Sequence, residues 1–366
     1  MKEITCGFIG LGLIGGSIAK ALKENIPDTT IIAYDINSDS LKAAQDDGIV
    51  DVISYAIDNT FSDCDYLFLC APVKKNDDNL AAVAKILPAK CLLTDVGSVK
   101  SDIHAAITKA GLEKQFIGGH PMAGSERTGY LHSKSILLQN AYYILTPTTL
   151  VTAKRVEELK DLVTRIGALP LILSCEQHDY VTAAVSHLPH VIAASLVNLV
   201  KDSDSSDGIM KMIAAGGFKD ITRIASSSAL MWQQICLTNT DNITALLSNY
   251  IHSLEKILMN LEEHKSEALY QLFESARTYR DSFIDASSGP IKRSYSITID
   301  IADEPGALAA IATILALNQI SIKNIGILHN REYEGGVLRI EFYEEASISH
   351  AKTILGSKGY TIYEHN

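Results

Sequence analysis

The sequence predicts a doubly wound parallel α/β sheet, then an all-helical domain, then a small α+β module of βαββαβ order. Three observations carry this expectation. Short apolar runs alternate with amphipathic helical stretches as far as about residue 174, the pattern of strands joined by covering helices. From Glu176 to about Arg280 helical periodicity continues with almost no strand signal. Beyond the small, polar stretch Asp285-Ala286-Ser287-Ser288-Gly289-Pro290, strand alternation returns around two short helices.

The first strand is expected over 4–9, where Thr5-Cys6-Gly7-Phe8-Ile9 turns directly into Gly10-Leu11-Gly12-Leu13-Ile14-Gly15. A second apolar run, Ile31-Ile32-Ala33-Tyr34, ends on Asp35. Gly10 permits a tight turn, Gly12 lets the main chain approach a pyrophosphate, and Gly15 lets the helix pack close to the strand. The helix starting near Leu13 and Ile14 offers free N–H groups and a positive dipole end to phosphates. Asp35 stands where a carboxylate accepts both ribose hydroxyls and repels a 2′-phosphate, so the expected cofactor is NAD rather than NADP. Residues 1–174 therefore read as a Rossmann-type nucleotide-binding domain.

Further strands are expected at 66–70, 91–95, 116–118, 142–146 and 169–173, with helices at 13–24, 38–46, 76–87, 100–110 and 152–166. Ligands on such a sheet bind beyond the carboxyl ends of its strands. That rule singles out three loops: Ala71-Pro72-Val73, Gly97-Ser98-Val99-Lys100, and the glycine-rich run from Gly118 to Glu126. Residues 175–285 are expected to form helices at 176–200, 207–215, 219–236, 239–262 and 264–283. The stretch 188–200 is apolar on more than one face, as a helix buried between packed helices or between subunits would be. A helical domain that pairs two copies and closes over the nucleotide cleft is the economical reading. Residues 286–293 are the expected linker, and 294–366 the βαββαβ, ferredoxin-like module.

Composition narrows the class. The chain has 366 residues, too many for one ordinary core and enough for two or three domains. Its net charge of −11 argues against nucleic acid or an anionic membrane surface as partner. The six cysteines include no C-x-x-C pair, which suits reduced thiols in the cytoplasm better than a disulfide scaffold or zinc site. No uninterrupted apolar run approaches the roughly 18–20 residues that span a bilayer, and no secretory leader is evident.

Several side chains could carry chemistry. His120 follows a short strand among glycines that keep bulky side chains from a ligand's path; a neutral imidazole there could accept a hydroxyl proton beside a nicotinamide. Ser98 could orient His120 or the nicotinamide amide, or cap the helix starting near Lys100. Ser125 and Glu126 sit in the His120 loop, and Glu126 reads equally as a ligand to a substrate hydroxyl or as a solvated acid. His187 and His190 lie three apart on one helix face, but no third residue of suitable spacing makes a metal site of them, and Pro189 should kink that helix. Asp220 and Arg223 are likewise three apart; Arg223 could fork a carboxylate with Asp220 steadying it, or the two form an ordinary surface pair.

Taken together, these residues resemble the prephenate dehydrogenase family. The matching blocks are Gly10 to Ser17, Asp95-Val96-Gly97-Ser98-Val99-Lys100, Gly119 to Glu126, Ser186-His187-Leu188-Pro189-His190 and Phe218-Lys219-Asp220-Ile221-Thr222-Arg223, in the family's order across roughly residues 1–285. The tail resembles an ACT domain through Asp303-Glu304-Pro305-Gly306-Ala307-Leu308. The resemblance implies oxidative decarboxylation of prephenate with NAD+ to 4-hydroxyphenylpyruvate, CO2 and NADH in tyrosine biosynthesis. His120 would be the base, Ser98 its orienting partner, Arg223 the carboxylate ligand, and His190, His187, Glu126, Ser125 and Asp220 the pocket. Ala71, Pro72, Val73, Gly97 and Ser98 would join the glycine loop and Asp35 in holding NAD. A homodimer through the helical domain, ACT–ACT pairing and feedback by L-tyrosine at Asp303, Gly306, Ala307, Leu308, Asn324 and Ile325 are further implications.

Three rival functions are weighed against this one. Arogenate dehydrogenase shares cofactor, fold and base, and no single residue distinguishes it. A β-hydroxyacid dehydrogenase would use a lysine in its helical domain, which the His120 block does not suit. A non-catalytic, NAD-linked amino-acid sensor would not need His120, Ser98 and Arg223 together.

Overall fold

A computed structural model of the chain describes residues 4–71, 79–125, 127–285, 295–301, 304–328 and 336–364. It divides into two compact units, Met1–His264 and Lys265–Asn366.

The first unit is built on an eight-stranded sheet of order β3-β2-β1-β4-β5-β6-β7-β8. Its strands are β1 Ile4–Ile9, β2 Thr29–Tyr34, β3 Val52–Ile53, β4 Tyr66–Leu69, β5 Leu92–Asp95, β6 Phe116–Pro121, β7 Tyr142–Pro147 and β8 Leu169–Ile172. Alternation along each strand sends neighbours to opposite faces, and two cores result. Phe8, Ile31, Ala33 and Phe68 pack on one face beneath Ile18 and Leu22 of α1 (Leu13–Asn25), with Phe8 stacked on Phe68 at 4.9 Å. Ile9, Ile32, Leu67, Leu69 and Leu93 pack on the other against Ile103 and Ile107 of α2 (Ser101–Ala110). A sheet covered on both faces is the doubly wound class that the alternation of elements predicts.

One feature departs from the expected all-parallel sheet. β7 runs antiparallel to β6, and β8 is parallel to β7, so the last two strands are reversed. The cause is the connection: among the described residues of 122–141 the helical elements are 3-10 turns, at Tyr130–His132 and Ser135–Leu138, and no crossover helix among them returns the chain to the opposite edge. The two-residue β3 is too short to leave an alternation signal. Of the helix expected at 76–87, residues 79–83 are helical and 72–78 lie outside the described residues.

Strand order reverses between β1 and β4, so the crevice lies between their carboxyl ends. This is the switch point where such sheets open a ligand crevice.

The helical part begins at Cys175 because Ser174 and Gln177 form a reciprocal capping box. Cys175–Thr182, a π-turn over Ala183–His187 and Leu188–Ser203 make one continuous helical run. The π-turn accommodates Pro189, which supplies no amide hydrogen, so the run does not break where a kink is expected. By length and composition this run could cross a membrane. Its first turns instead carry buried His178, Asp179, Thr182 and His187, bonded into the α/β sheet's loops and a neighbouring helix. The helix expected over 219–236 is interrupted: Gly216–Thr222 ends in a 3-10 turn at Arg223–Ser226, and Ser228 caps a new helix, Ala229–Thr238. Thr240–Glu262 completes this unit.

In the second unit, helix Ser266–Asp285 precedes an antiparallel sheet of order β10-β11-β9-β12. Its strands are β9 Tyr295–Ile301, β10 Ile322–Leu328, β11 Gly336–Phe342 and β12 Ile362–Glu364, with helices Ala307–Leu317 and Ala346–Ser357 between them. The order is βαββαβ, as the sequence predicts. Ile297, Ile299, Ile311, Leu315, Leu338, Ile340 and Leu355 form its core.

Candidate active site

The loops that follow β1, β4, β5 and β6 lie at the carboxyl edge of the sheet, and the nucleotide cradle comes first. Gly10 has φ +98, and a β-carbon there would lie 2.7 Å from the backbone nitrogen of Ala71. A β-carbon on Gly15 would lie 2.7 Å from the carbonyl oxygen of Gly10. Gly12 is different: nothing lies within 4 Å of its missing side chain, and as the N-cap of α1 it has no side-chain hydrogen bond. The first amides of that helix therefore face open space of the kind a pyrophosphate fills. Asp35 accepts a hydrogen bond from Leu11 N at 2.6 Å and from Asn37 N at 2.8 Å, which fixes the loop and the carboxylate together. These residues fit a dinucleotide. Pro72 and Val73, expected to line it, lie outside the described residues.

His120 is the penultimate residue of β6 and is half-buried. Its Nδ1 lies 2.8 Å from Nε2 of His178, whose Nδ1 lies 2.7 Å from Oδ1 of Asp179. A carboxylate only accepts, so His178 Nδ1 carries the hydrogen. With both rings neutral, His178 Nε2 then accepts and His120 Nδ1 donates. His120 Nε2 is left with a free lone pair, the form a base requires. Burial and the neighbouring His178, Lys100 and His187 hold the His120 pKa well below the ordinary imidazole value, against the pull of Asp179. Burial alone would raise the Asp179 carboxyl, but hydrogen bonds from His178, from Ser101 and from the amide of Lys100 bring it down to about 2.

Ser98 plays neither structural part open to it in the sequence. His178, not Ser98, is the hydrogen-bond partner of His120, and among the described residues Ser98 makes no side-chain bond to that ring. Nor does it cap α2. Asp179 does so from a distant helix, accepting from Lys100 N at 2.8 Å and Ser101 N at 2.9 Å. Ser98 remains on the β5 loop, half-buried beside Gly97.

The glycines before His120 also serve a different end from the one expected. A β-carbon on Gly118 would come within 2.2 Å of Thr146 Oγ1, and one on Gly119 within 2.6 Å of the Asp95 carbonyl oxygen. They make room for packed protein groups, not for a ligand's path.

On the helical side His187 is buried, its Nδ1 3.1 Å from the side-chain nitrogen of Asn239, and its pKa falls to about 4, mainly through burial. His190 bonds the Ser186 carbonyl through Nδ1 at 2.8 Å and stacks on Trp232, ring centroids 3.6 Å apart. Trp232 Nε1 is buried and has no hydrogen-bond partner among the described residues. Burial lowers the pKa of His190, and the Arg223 charge lowers it further against the Ser186 carbonyl, which places Arg223 within electrostatic reach. Arg223 and Asp220 are exposed at the end of a short helix. Ser125 is exposed and bonds Arg127 N at 3.1 Å; Glu126 lies outside the described residues.

In the second unit Gly306 has φ +96 and caps helix Ala307–Leu317. Leu308 and Ile325 line a cavity of about 330 Å³ with Ala309, Ala312, Gly326 and Leu338, and the Asn324 side chain accepts from Ile325 N. Asp303 lies outside the described residues.

Sequence reasoning missed His178, Asp179 and Trp232. His178 and Asp179 lie 58 and 59 positions from His120, so spacing could not join them. The available signal was an adjacent His-Asp pair one turn inside a capped helix.

Comparison with known proteins places this geometry. Residues 18–171 match the family described as prephenate dehydrogenase, nucleotide-binding domain, and residues 174–275 match prephenate dehydrogenase, dimerization domain. A prephenate dehydrogenase of Bacillus subtilis is 39% identical over 94% of this chain and 93% of its own length. One from Lactococcus lactis is 33% identical over 97% of this chain and 98% of its own. Among solved structures, prephenate dehydrogenase from Aquifex aeolicus in complex with hydroxyphenyl propionate and NAD+ has a TM-score of 0.73 at 32% identity. That match covers 77% of this chain and 99% of the other.

Proposed function

We infer that this chain, which belongs to the prephenate dehydrogenase family, oxidises and decarboxylates prephenate with NAD+ to 4-hydroxyphenylpyruvate and CO2. The observation that carries the mechanism is the hydrogen-bonded series His120, His178, Asp179. NAD+, when bound, supplies the hydride acceptor. The glycine loop, the first amides of α1, Asp35, Ala71 and the Gly97-Ser98 turn are the residues proposed to hold it.

His120 Nε2 accepts the ring hydroxyl proton as that carbon is oxidised. The developing carbonyl draws the electrons of the ring carboxylate bond, CO2 leaves from the opposite ring position, and the ring becomes aromatic. Decarboxylation leaves a phenolate oxygen, to which the same nitrogen returns its proton, so atoms and charge balance with no net proton release. His178 and Asp179 hold the base in its tautomer and stabilise its transient charge. Arg223 is proposed to pair with a substrate carboxylate, and the unpartnered Trp232 Nε1 to donate to the substrate where His190 forms the wall. Ser98, His187, Ser125, Glu126 and Asp220 remain proposed pocket residues.

The direct test is NADH absorbance after mixing protein, NAD+ and prephenate, with arogenate run beside it. Both near full-length relatives carry the prephenate name, which favours that substrate. Arg223→Gln is expected to raise KM for prephenate roughly ten- to hundredfold, the loss of a charged hydrogen bond of about 1.5–3 kcal/mol, with kcat less affected. An unchanged KM assigns the carboxylate to another residue.

The exposed Val185, Leu199, Leu230 and Leu237 and the match to a dimerization domain support a homodimer. We propose the division 1–174, 175–285 and 294–366, a cytoplasmic location, and feedback by L-tyrosine at the βαββαβ module. The cavity beside Leu308 and Ile325 supports that effector site. Calorimetry on the full chain should detect tyrosine binding; no heat at millimolar tyrosine removes it as effector.

A further inference from the structure

We propose that Lys100, with Asp95 as its counter-ion, is a positioning residue that fixes His120 at the end of β6. The inference rests on His120 as base, and its test separates the two.

Lys100 is fully buried, as is Asp95, and the two form an ion pair. Asp95 accepts from Gly119 N at 3.1 Å, and Lys100 Nζ donates to Gly119 O at 2.7 Å. One ion pair thus takes both main-chain groups of the residue that precedes the base. Asp95 also accepts from Gly97 N at 2.9 Å, and the Lys100 amide is held by Asp179 at 2.8 Å. Lys100 therefore ties the strand beneath His120 to the carboxylate at the far end of the histidine series. The side chain lies along the strand: a β-carbon on Gly118 would be 3.2 Å from Lys100 Cδ.

A buried Lys–Asp pair is a poor stabiliser compared with apolar side chains of the same volume, because desolvation offsets its attraction. What it supplies is a rigid anchor, in which Lys100 Nζ donates to Asp95 and to Gly119 O while both Asp95 oxygens accept main-chain amides, and a positive charge near a ring that must stay unprotonated. Among the described residues, the charged and titratable groups around that ring are Lys100 from the β5 loop, His178 and Asp179 from the helix Cys175–Thr182, and His187 from the π-turn. Asp95 on β5 and buried Tyr143 on the adjoining strand lie behind them.

Two variants test this. Lys100→Gln keeps a donor and removes the charge. Asp95→Asn with Lys100→Met removes the pair without leaving a lone buried ion. Both are expected to bind NAD+ with wild-type affinity by calorimetry, and to leave KM for prephenate near its wild-type value. The double variant should lower kcat roughly 10- to 100-fold through lost positioning. In both, the acidic limb of the pH profile of kcat/KM should move up by about one unit as the ring loses its cationic neighbour. Wild-type kcat and an unmoved acidic limb in both variants overturn the proposal. So does a loss of activity that tracks lost NAD+ affinity, which would assign the pair to the Gly97 loop. If the wild type itself fails to turn over prephenate, or His120→Ala matches it, the parent reading falls instead.

Discussion

His120→Ala is expected to lower kcat by roughly 10²–10⁴, the range that a positioned general base contributes, while NAD+ affinity stays within error. The nucleotide cradle is built from the ends of β1, β2, β4 and β5, and His120 belongs to none of them. Single-turnover NADH formation and NAD+ calorimetry on the same preparation check both halves. Near wild-type turnover would remove the ring from the chemistry. The pH dependence has a defined sign. The pKa of the folded-state ring is depressed, so the neutral, active form persists below the ordinary imidazole range and activity falls only as pH drops through the lowered value. Stability follows the same direction. An unfolded histidine, with pKa about 6.5, binds its proton first as pH falls. The native state thus keeps its full margin above that value and loses it towards the folded pKa. His187, with its pKa near 4, adds to acid lability over the window from about 6.5 to 4.

What could be read from the sequence had a local cause. The glycines at 10, 12 and 15, the acid at 35 and the two periodicities each act within a few residues, and the strands and helices at those positions fall within a residue or two of the expected bounds. The reversed β7 escaped because strand direction depends on whether a crossover forms, and residues 122–141 carry no pattern that decides it. The π-turn escaped because Pro189 looks like a break in any one-dimensional reading. The site divides in the same way. His120 declared itself by its loop. Its partner did not, because His178 reaches it only once the helical part packs on the sheet. Gly118 and Gly119 were read as clearance for a ligand when the space beside them is filled by Lys100, Asp95 and Thr146. A glycine reports that something approaches closely, not what approaches.

The second large effect expected is at His178, where two substitutions should behave oppositely. His178→Leu leaves His120 Nδ1 without an acceptor, and the ring is then free to hold its hydrogen on Nε2, the nitrogen that must be bare. The loss in kcat is expected to be on the order of 10²-fold, smaller than the roughly 10⁴-fold effect of a wrong tautomer in a Ser-His-Asp triad. His178→Gln can place an amide oxygen where Nε2 now sits, accept from His120 Nδ1, and so keep the base in its working form. Much of the activity should return with it. A merely structural role for His178 predicts the reverse order, since the apolar leucine is the better filler of a buried site and Asp179 keeps its bonds from Lys100 N and Ser101. The measurements are kcat, KM and thermal midpoint for both variants. The inference holds if the glutamine enzyme is the more active whatever their order of stability. It fails if activity tracks the midpoint alone. That outcome would leave Ser98 as the candidate to orient the ring, reached by a rotation of His120 when substrate and cofactor bind.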